Sequence, residues 1–283
     1  MIGDGVSPER VVVVDNASQD DSAERLAREL PDCAVVALER SVSYASAANA
    51  GAAALAGSSF LILNSDAFVH RPGSIRRMLE GLSRRRVGIV VPLLRNPDLT
   101  LQRSVRPIDT PLVALVRASG LSRLVPNRHQ PSWSTHWDHA ASREIPAADG
   151  AVLLVGLQAW EDLGGFPSYG GMYAEDTEIC WSARRHGWRV WFERGAEFVH
   201  LGNASGSRRW SSPERAERWS RAEADLLRRQ LPPARAALSI LVTAAGLAAR
   251  LAIFALRRER GRAADTRAQL RGYLSALAGR SPG

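Results

Sequence analysis

The sequence predicts an α/β protein built on a mainly parallel central sheet, and three observations carry that expectation. Short apolar runs alternate with helical patterns from residue 11 to residue 91. Two of those runs stop abruptly at polar, acidic tips: residues 11–14 at Asp15-Asn16, and residues 60–63 at Asn64-Ser65-Asp66. Hydrophobic residues make up 45% of the 283, enough to build a full core and too many for a disordered chain. Strands that alternate with helices imply a parallel sheet covered on both faces. Such sheets present their ligands at the carboxyl ends of the strands.

Each element follows from the local pattern. Residues 11–14 are four valines and read as a strand; the turn from Asp15 to Ser22 supplies cap residues for a helix over residues 23–30. Residues 33–38 read as a second strand, and the alanine-rich residues 45–56 as a helix. The third strand, residues 60–63, precedes a helix over residues 72–85 with Pro72 near its start. Residues 87–91 form a fourth strand. Residues 95–145, rich in Pro, Trp, His and Arg, read as an irregular excursion or lid. Beyond it come an apolar stretch at 151–155, a short helix at 159–163 ended by Gly164-Gly165, and a helix at 176–186 closed by Gly187. Residues 188–192 read as a strand, and 198–200 as a short extended piece.

The chain carries a net charge of +8, with arginine concentrated from residue 184 onward. That balance implies an anionic partner or a solvated charged face. Residues 236–256 are apolar, interrupted by Arg250 and followed by Arg257-Arg258-Glu259-Arg260. The favoured reading is an amphipathic helix on an anionic membrane surface, with residues 236–271 as the contact; a true span and an ordinary packed helix are the alternatives. Domain boundaries are accordingly expected at 1–206 and 207–283. The two cysteines, Cys33 and Cys180, have no metal-like spacing, and residues 1–10 are polar, so a cytoplasmic protein, peripheral on the cytosolic face of the membrane, is expected. Nucleic-acid binding is set aside, because the eight tryptophans are scattered and no recognised module is present.

Several residues are candidates for chemistry. Asp66 either ligates a hard cation such as Mg²⁺ or Mn²⁺ or caps the turn it sits in. Glu175-Asp176 opens a helix, where the dipole favours acids, and either carboxylate near an acceptor hydroxyl would serve as a general base. Gly170-Gly171 just upstream permits close backbone approach to a ligand. His200 is either a metal ligand or a structural histidine. Asp15-Asn16 is a candidate nucleoside contact. No glycine-rich dinucleotide fingerprint or phosphate loop follows the first strand, which argues against nicotinamide oxidoreductases and P-loop ATPases.

Taken in order, these segments resemble a family 2 glycosyltransferase of the GT-A fold, close to a bacterial rhamnosyltransferase-like branch. Val11 to Asp20 resembles the nucleotide-binding segment, and Tyr44 through Asn49-Ala50-Gly51 the segment after it. Leu61-Ile62-Leu63-Asn64-Ser65-Asp66 is similar to the family's version of the Asp-x-Asp metal motif. Asp149-Gly150-Ala151 through Gly164-Gly165-Phe166 resembles the acceptor-side segment, and Met172 to Cys180 the Glu-Asp motif with the catalytic base. Gly187 to Trp191 and then Val199-His200 resemble the closing strand and histidine. The match covers about residues 10–206. Ser41, Ser43, Pro167 and Leu201 stand where the family usually carries other residues, and only ten residues precede Val11, so the first strand and helix of the family are expected to be missing, with either the true start upstream of Met1 or part of the donor pocket lacking.

The resemblance implies a nucleotide-diphospho-sugar transferase with a Rossmann-like sandwich, followed by C-terminal amphipathic helices. It implies inverting, metal-dependent transfer of a sugar, with rhamnose as the first candidate, from a dTDP-, UDP- or GDP-sugar to a cell-envelope or lipid-linked glycan. By the same resemblance Asp66 and His200 meet the Mg²⁺ or Mn²⁺, Asp176 with Glu175 supplies the base, and Asp15, Asn16, Asn49, Asn64 and Asp66 line the donor site. A catalytically inert, truncated GT-A domain acting as a binding partner is the alternative.

Overall fold

The computed structural model describes residues 2–126, 137–167, 173–202 and 211–278. In chain order the first elements are β1 (Val12–Asp15), α1 (Ser22–Glu29), β2 (Ala34–Ala37), α2 (Tyr44–Ala53), β3 (Ser59–Leu63) and β4 (Ala67–Val69). They continue with α3 (Ser74–Leu82), β5 (Val87–Arg95), β6 (Leu101–Gln102), α4 (Pro111–Ala118), β7 (Arg143–Ile145), β8 (Val152–Gly156) and α5 (Leu157–Leu163). The last are α6 (Glu175–Arg185), β9 (Arg189–His200), α7 (Ser212–Gln230), α8 (Pro233–Leu256) and α9 (Arg260–Leu277).

The chain divides into two compact units. The first holds Met1–Ser104, His139–Gly171 and Glu175–Leu201; the second holds Val105–Asp138, Met172–Ala174 and Gly202–Gly283. The sequence boundary expected at 206/207 falls outside the described residues, and the helix α4, within a stretch that reads as irregular, belongs to the second unit with the C-terminal helices.

The first unit is a sheet protein. β1 and β2 pair in parallel, Val13 opposite Val35. The main sheet runs β3-β8-β5-β9-β4, with β6 on β5 and β7 on β9. β5 and β9 are parallel, whereas β8 runs antiparallel between β3 and β5, so this sheet is mixed. Eight of the nine β5 residues are buried, which is why the strand reads as an unbroken apolar run. Pro92 lies inside it without an N–H to give to the ladder, and the β9 register slips there, between Glu193 and Glu197. The slip is a bulge stitched by polar contacts. Ser142 Oγ donates to Glu193 Oε1 at 2.9 Å, and the Arg194 and Gly195 amides donate to Ser142 Oγ and Glu193 Oε1. This bulge is why β9 reads in the sequence as two separate pieces. Met78 of α3, Val90 and Leu94 of β5, Val152 and Leu154 of β8, and Phe198 of β9 make the core.

The second unit is helical. α7 starts with a reciprocal capping box between Ser211 and Glu214. Leu227 of α7, Ile240 and Leu247 of α8, and Ala268, Tyr273 and Ala276 of α9 are buried. α8 has 24 residues and a window of mean hydropathy 2.0, long and apolar enough to cross a membrane, yet only 28% of that window is buried. Leu238, Leu241, Ile253 and Leu256 stand exposed along it, as do Leu112 and Leu115 on α4.

Candidate functional site

Three segments converge where β3 ends. The Asn64 N–H donates to Ala151 O at 2.9 Å, and its own carbonyl accepts from Ala67 N–H, which closes the tight turn between β3 and β4. The neighbouring Gly150 N–H donates to Asp176 Oδ2 at 2.7 Å. Residues 150 and 151 therefore join the two acidic points, Asp66 and Asp176, that lie more than a hundred residues apart in the chain. A side chain at 150 would not fit: a Cβ there would come within 2.7 Å of the Asp176 Cβ.

Asp176 sits in the first turn of α6. Its Oδ1 accepts from the Thr177 N–H at 2.7 Å while Oδ2 holds Gly150. These two backbone donors orient the carboxylate, and each occupies one of the two lone pairs on its oxygen. Tyr44, at the start of α2, donates its hydroxyl to Gly150 O at 3.1 Å. Burial, followed by the nearby Asp176 and Glu175 carboxylates, pushes the Tyr44 phenol well above its ordinary range, so it stays a donor. Cys180, one turn further along α6, is fully buried, and burial pushes its thiol up to about 12, an inert structural sulfur. Gly170-Gly171, expected to approach a ligand, lies outside the described residues.

Asp66 meets His200. The end of β9 pairs with β4, His200 opposite Ala67, and the Leu201 N–H donates to Asp66 O. This places His200 Nε2 3.2 Å from Asp66 Oδ1, with both side chains partly open to solvent. On the far side of the ring, Nδ1 lies 2.8 Å from Gln102 Oε1. Gln102 Nε2 donates to His200 O at 3.2 Å and to Asn96 Oδ1 at 3.0 Å. The oxygen end of the Gln102 amide thus faces His200, and Nδ1 must donate to it. In the neutral ring Nε2 then carries a lone pair aimed at a carboxylate oxygen. Two acceptors facing each other at this distance repel, a cation placed between them relieves that repulsion, and a carboxylate with an imidazole suits a divalent ion. Among the described residues no group of three or more His, Cys, Asp or Glu converges, and Asp66 with His200 is a pair that could contribute ligands to such an ion.

The other expected donor-site residues shape loops. Asp15 at the end of β1 accepts from the Ser18 N–H at 3.2 Å and from the Ser18 hydroxyl. The Asn16 amide clamps the Val42 backbone through both its ends, at 2.8 and 2.9 Å. The Asn49 amide does the same to Phe166, at 2.8 and 2.9 Å. Gly165 beside it has φ +82°, and a Cβ there would meet Asn49 Oδ1 at 2.6 Å, so a glycine is needed on both counts. Gln102 carries no sequence signal; its place beside His200 comes from the two-residue pairing of β6 with β5.

Comparison with known proteins bears on the fold and on the family the sequence is similar to. A family profile, Glycosyl transferase family 2, matches residues 6–136. The N-acetylglucosaminyl-diphospho-decaprenol L-rhamnosyltransferase of Mycobacterium tuberculosis is 27% identical over 208 residues, 68% of this chain. The match spans 66% of that relative, just under two thirds of its length. Among solved structures, the mannosyltransferase PcManGT from Pyrobaculum calidifontis, in complex with GDP-Man and Mn²⁺, superposes with a TM-score of 0.58 at 19% identity. It covers 96% of this chain and 79% of its own. GalNAc-T7 with UDP, GalNAc and Mn²⁺ reaches a TM-score of 0.52 at 16% identity, covering 80% of this chain and 46% of its own. The structural likenesses establish the fold, that of the GT-A glycosyltransferases, and the sequence likenesses are to glycosyl transferase family 2 over residues 6–136 and to a rhamnosyltransferase.

Proposed function

We propose that the chain transfers a sugar, with inversion, from a nucleotide-diphosphate donor to a hydroxyl of a lipid-linked or cell-envelope glycan, using Mg²⁺ or Mn²⁺. The observation that carries this reading is the Asp66–His200 pair, whose facing carboxylate oxygen and imidazole nitrogen suit a divalent cation. Asp66 Oδ1 and His200 Nε2 would hold it. Such an ion supplies positive charge to the diphosphate of the leaving nucleotide. The rhamnosyltransferase relative and the metal-bound structural neighbours support the same reading, and dTDP-rhamnose is the first donor to try.

The remaining roles belong to the chain's own residues. Asp176, fixed by two backbone amides, would take the proton of the acceptor hydroxyl, and Glu175 stands next to it at the start of α6. One base and one displacement invert the anomeric carbon. The loops that Asp15, Asn16 and Asn49 tie down wall the donor side, with Asn64 closing the turn that carries Asp66. In the second unit, α8 and the arginines after it fit an anionic membrane surface on the cytosolic side, where a lipid-linked acceptor would be met.

The test is calorimetric titration of the full chain with dTDP-, UDP- and GDP-sugars, with and without Mn²⁺, beside Asp66→Ala. Metal-dependent binding of one donor, weakened tenfold or more in Asp66→Ala, is the expected result, with an inverted anomeric centre in the product by NMR. A folded chain that binds no donor under any metal condition overturns the proposal in favour of an inert binding domain.

A further inference from the structure

His200 is the end of a directional chain of hydrogen bonds that starts on an exposed loop of the first unit. Asp98 lies in the turn between β5 and β6, and its carboxylate is held below the usual range by hydrogen bonds from the Thr100 hydroxyl and amide. An ionised carboxylate only accepts, so the Thr100 hydroxyl donates to Asp98 Oδ1, at 2.6 Å. Thr100 Oγ1 must then accept at its other contact, which is Asn96 Nδ2 at 2.9 Å. That fixes the Asn96 amide with its oxygen outward, toward Gln102 Nε2 at 3.0 Å. It fixes the Gln102 amide in turn, with Oε1 toward His200 Nδ1 at 2.8 Å. The His200 carbonyl, also a pure acceptor, takes a second bond from Gln102 Nε2 and so requires the same orientation from the other end.

We propose that Gln102 is a positioning residue for sugar transfer: it holds the proton of His200 on Nδ1 and thereby aims the Nε2 lone pair at the cation site beside Asp66. The inference rests on the metal reading above for its purpose, but the tautomer is a property of this chain alone. Without Gln102 a neutral imidazole beside a carboxylate would place its proton on Nε2 and donate to Asp66 Oδ1. Both the lone pair and one carboxylate oxygen would then be lost to a metal. Histidine ligands commonly depend on such an outer hydrogen bond, and its removal weakens metal binding by roughly 10- to 100-fold.

The experiment is ¹⁵N NMR of the imidazole nitrogens in the full chain without metal, at mildly alkaline pH, with His200→Gln to assign the signal. The wild-type ring should show a protonated Nδ1 and an unprotonated Nε2, and Gln102→Leu should move the proton to Nε2. Mn²⁺ titration followed by electron paramagnetic resonance should show at least about tenfold weaker binding in Gln102→Leu. A wild-type His200 protonated on Nε2 overturns the proposal even if the variant fails to fold. An unchanged tautomer in a folded Gln102→Leu overturns it as well, as does a changed tautomer with unchanged Mn²⁺ affinity. A wild-type chain with the expected tautomer that binds no Mn²⁺ sinks the metal reading and with it the positioning role of Gln102, a result distinct from a failed tautomer.

Discussion

Single side chains do two different jobs at this site. Asn16 and Asn49 are spent on backbone: each amide satisfies both a donor and an acceptor of a distant loop, and neither can be replaced without leaving those backbone groups unpaired. Asp66, Asp176 and His200 instead present acceptor atoms around the end of β3. Replacing Asp176 by Asn keeps the size of the side chain but removes the proposed base. Steady-state kinetics on Asp176→Asn should give kcat lowered by roughly 10²-fold or more with donor binding little changed. Equal loss in donor affinity would assign Asp176 to binding. Asp66 and Asp176 carry a sequence signal because each stands at the end of a patterned element, a strand and a helix. Gln102 does not, because a lone glutamine in a loop-rich stretch carries no period and no motif, and only the register Leu94 opposite Gln102 brings it to His200.

At the scale of elements, the helices of the second unit enclose charge. Tyr273 of α9 donates to Glu223 Oε2 of α7 at 2.6 Å, and Arg117 of α4 pairs with Asp109. Burial, then the Asp109 carboxylate, pushes the Glu223 carboxyl up to about 7 from an ordinary 4.5, against the pull of Arg117, the Tyr273 hydrogen bond and Arg106. Between those two values the folded chain holds a proton that the unfolded chain has released. Stability of this unit therefore falls as pH rises from 4.5 through 7 and levels off above. Urea unfolding followed through that range should show a loss of about 1–3 kcal/mol, flattened in Glu223→Gln. A pH-independent wild-type profile would contradict the enclosure of this carboxyl. Element identity was mostly readable: β1, β2, β3, β5, α1, α2 and α6 fall within a few residues of where the pattern puts them. The direction of β8 was not readable, since an apolar five-residue run pairs equally well either way and its partners β3 and β5 are distant in sequence. α4 was hidden by the Pro- and Arg-rich residues around it.

For the whole molecule, the net charge of +8 and the unburied leucines of α8 would act together at an anionic membrane surface. Leu256 is 84% exposed at the end of α8, next to Arg257 and Arg258. Vesicles containing phosphatidylglycerol should retain the chain in co-sedimentation and neutral vesicles should not; reversing Arg257, Arg258 and Arg260 to Glu should abolish retention at physiological salt. Retention by neutral vesicles that survives the reversal would favour insertion over surface attachment. The likeness to glycosyl transferase family 2 was legible because its segments recur in a fixed order. Donor and acceptor were not, because they depend on loop surfaces that no spacing encodes.

The placement of the two cysteines makes the chain its own reporter. Cys33 and Cys180 are both buried and both lie in the sheet-containing unit, and the helical unit has none. A thiol reagent therefore reaches sulfur only when that sheet-containing unit opens. The rate of a brief labelling pulse in rising denaturant reads the opening of the sheet-containing unit, with the helices contributing no signal.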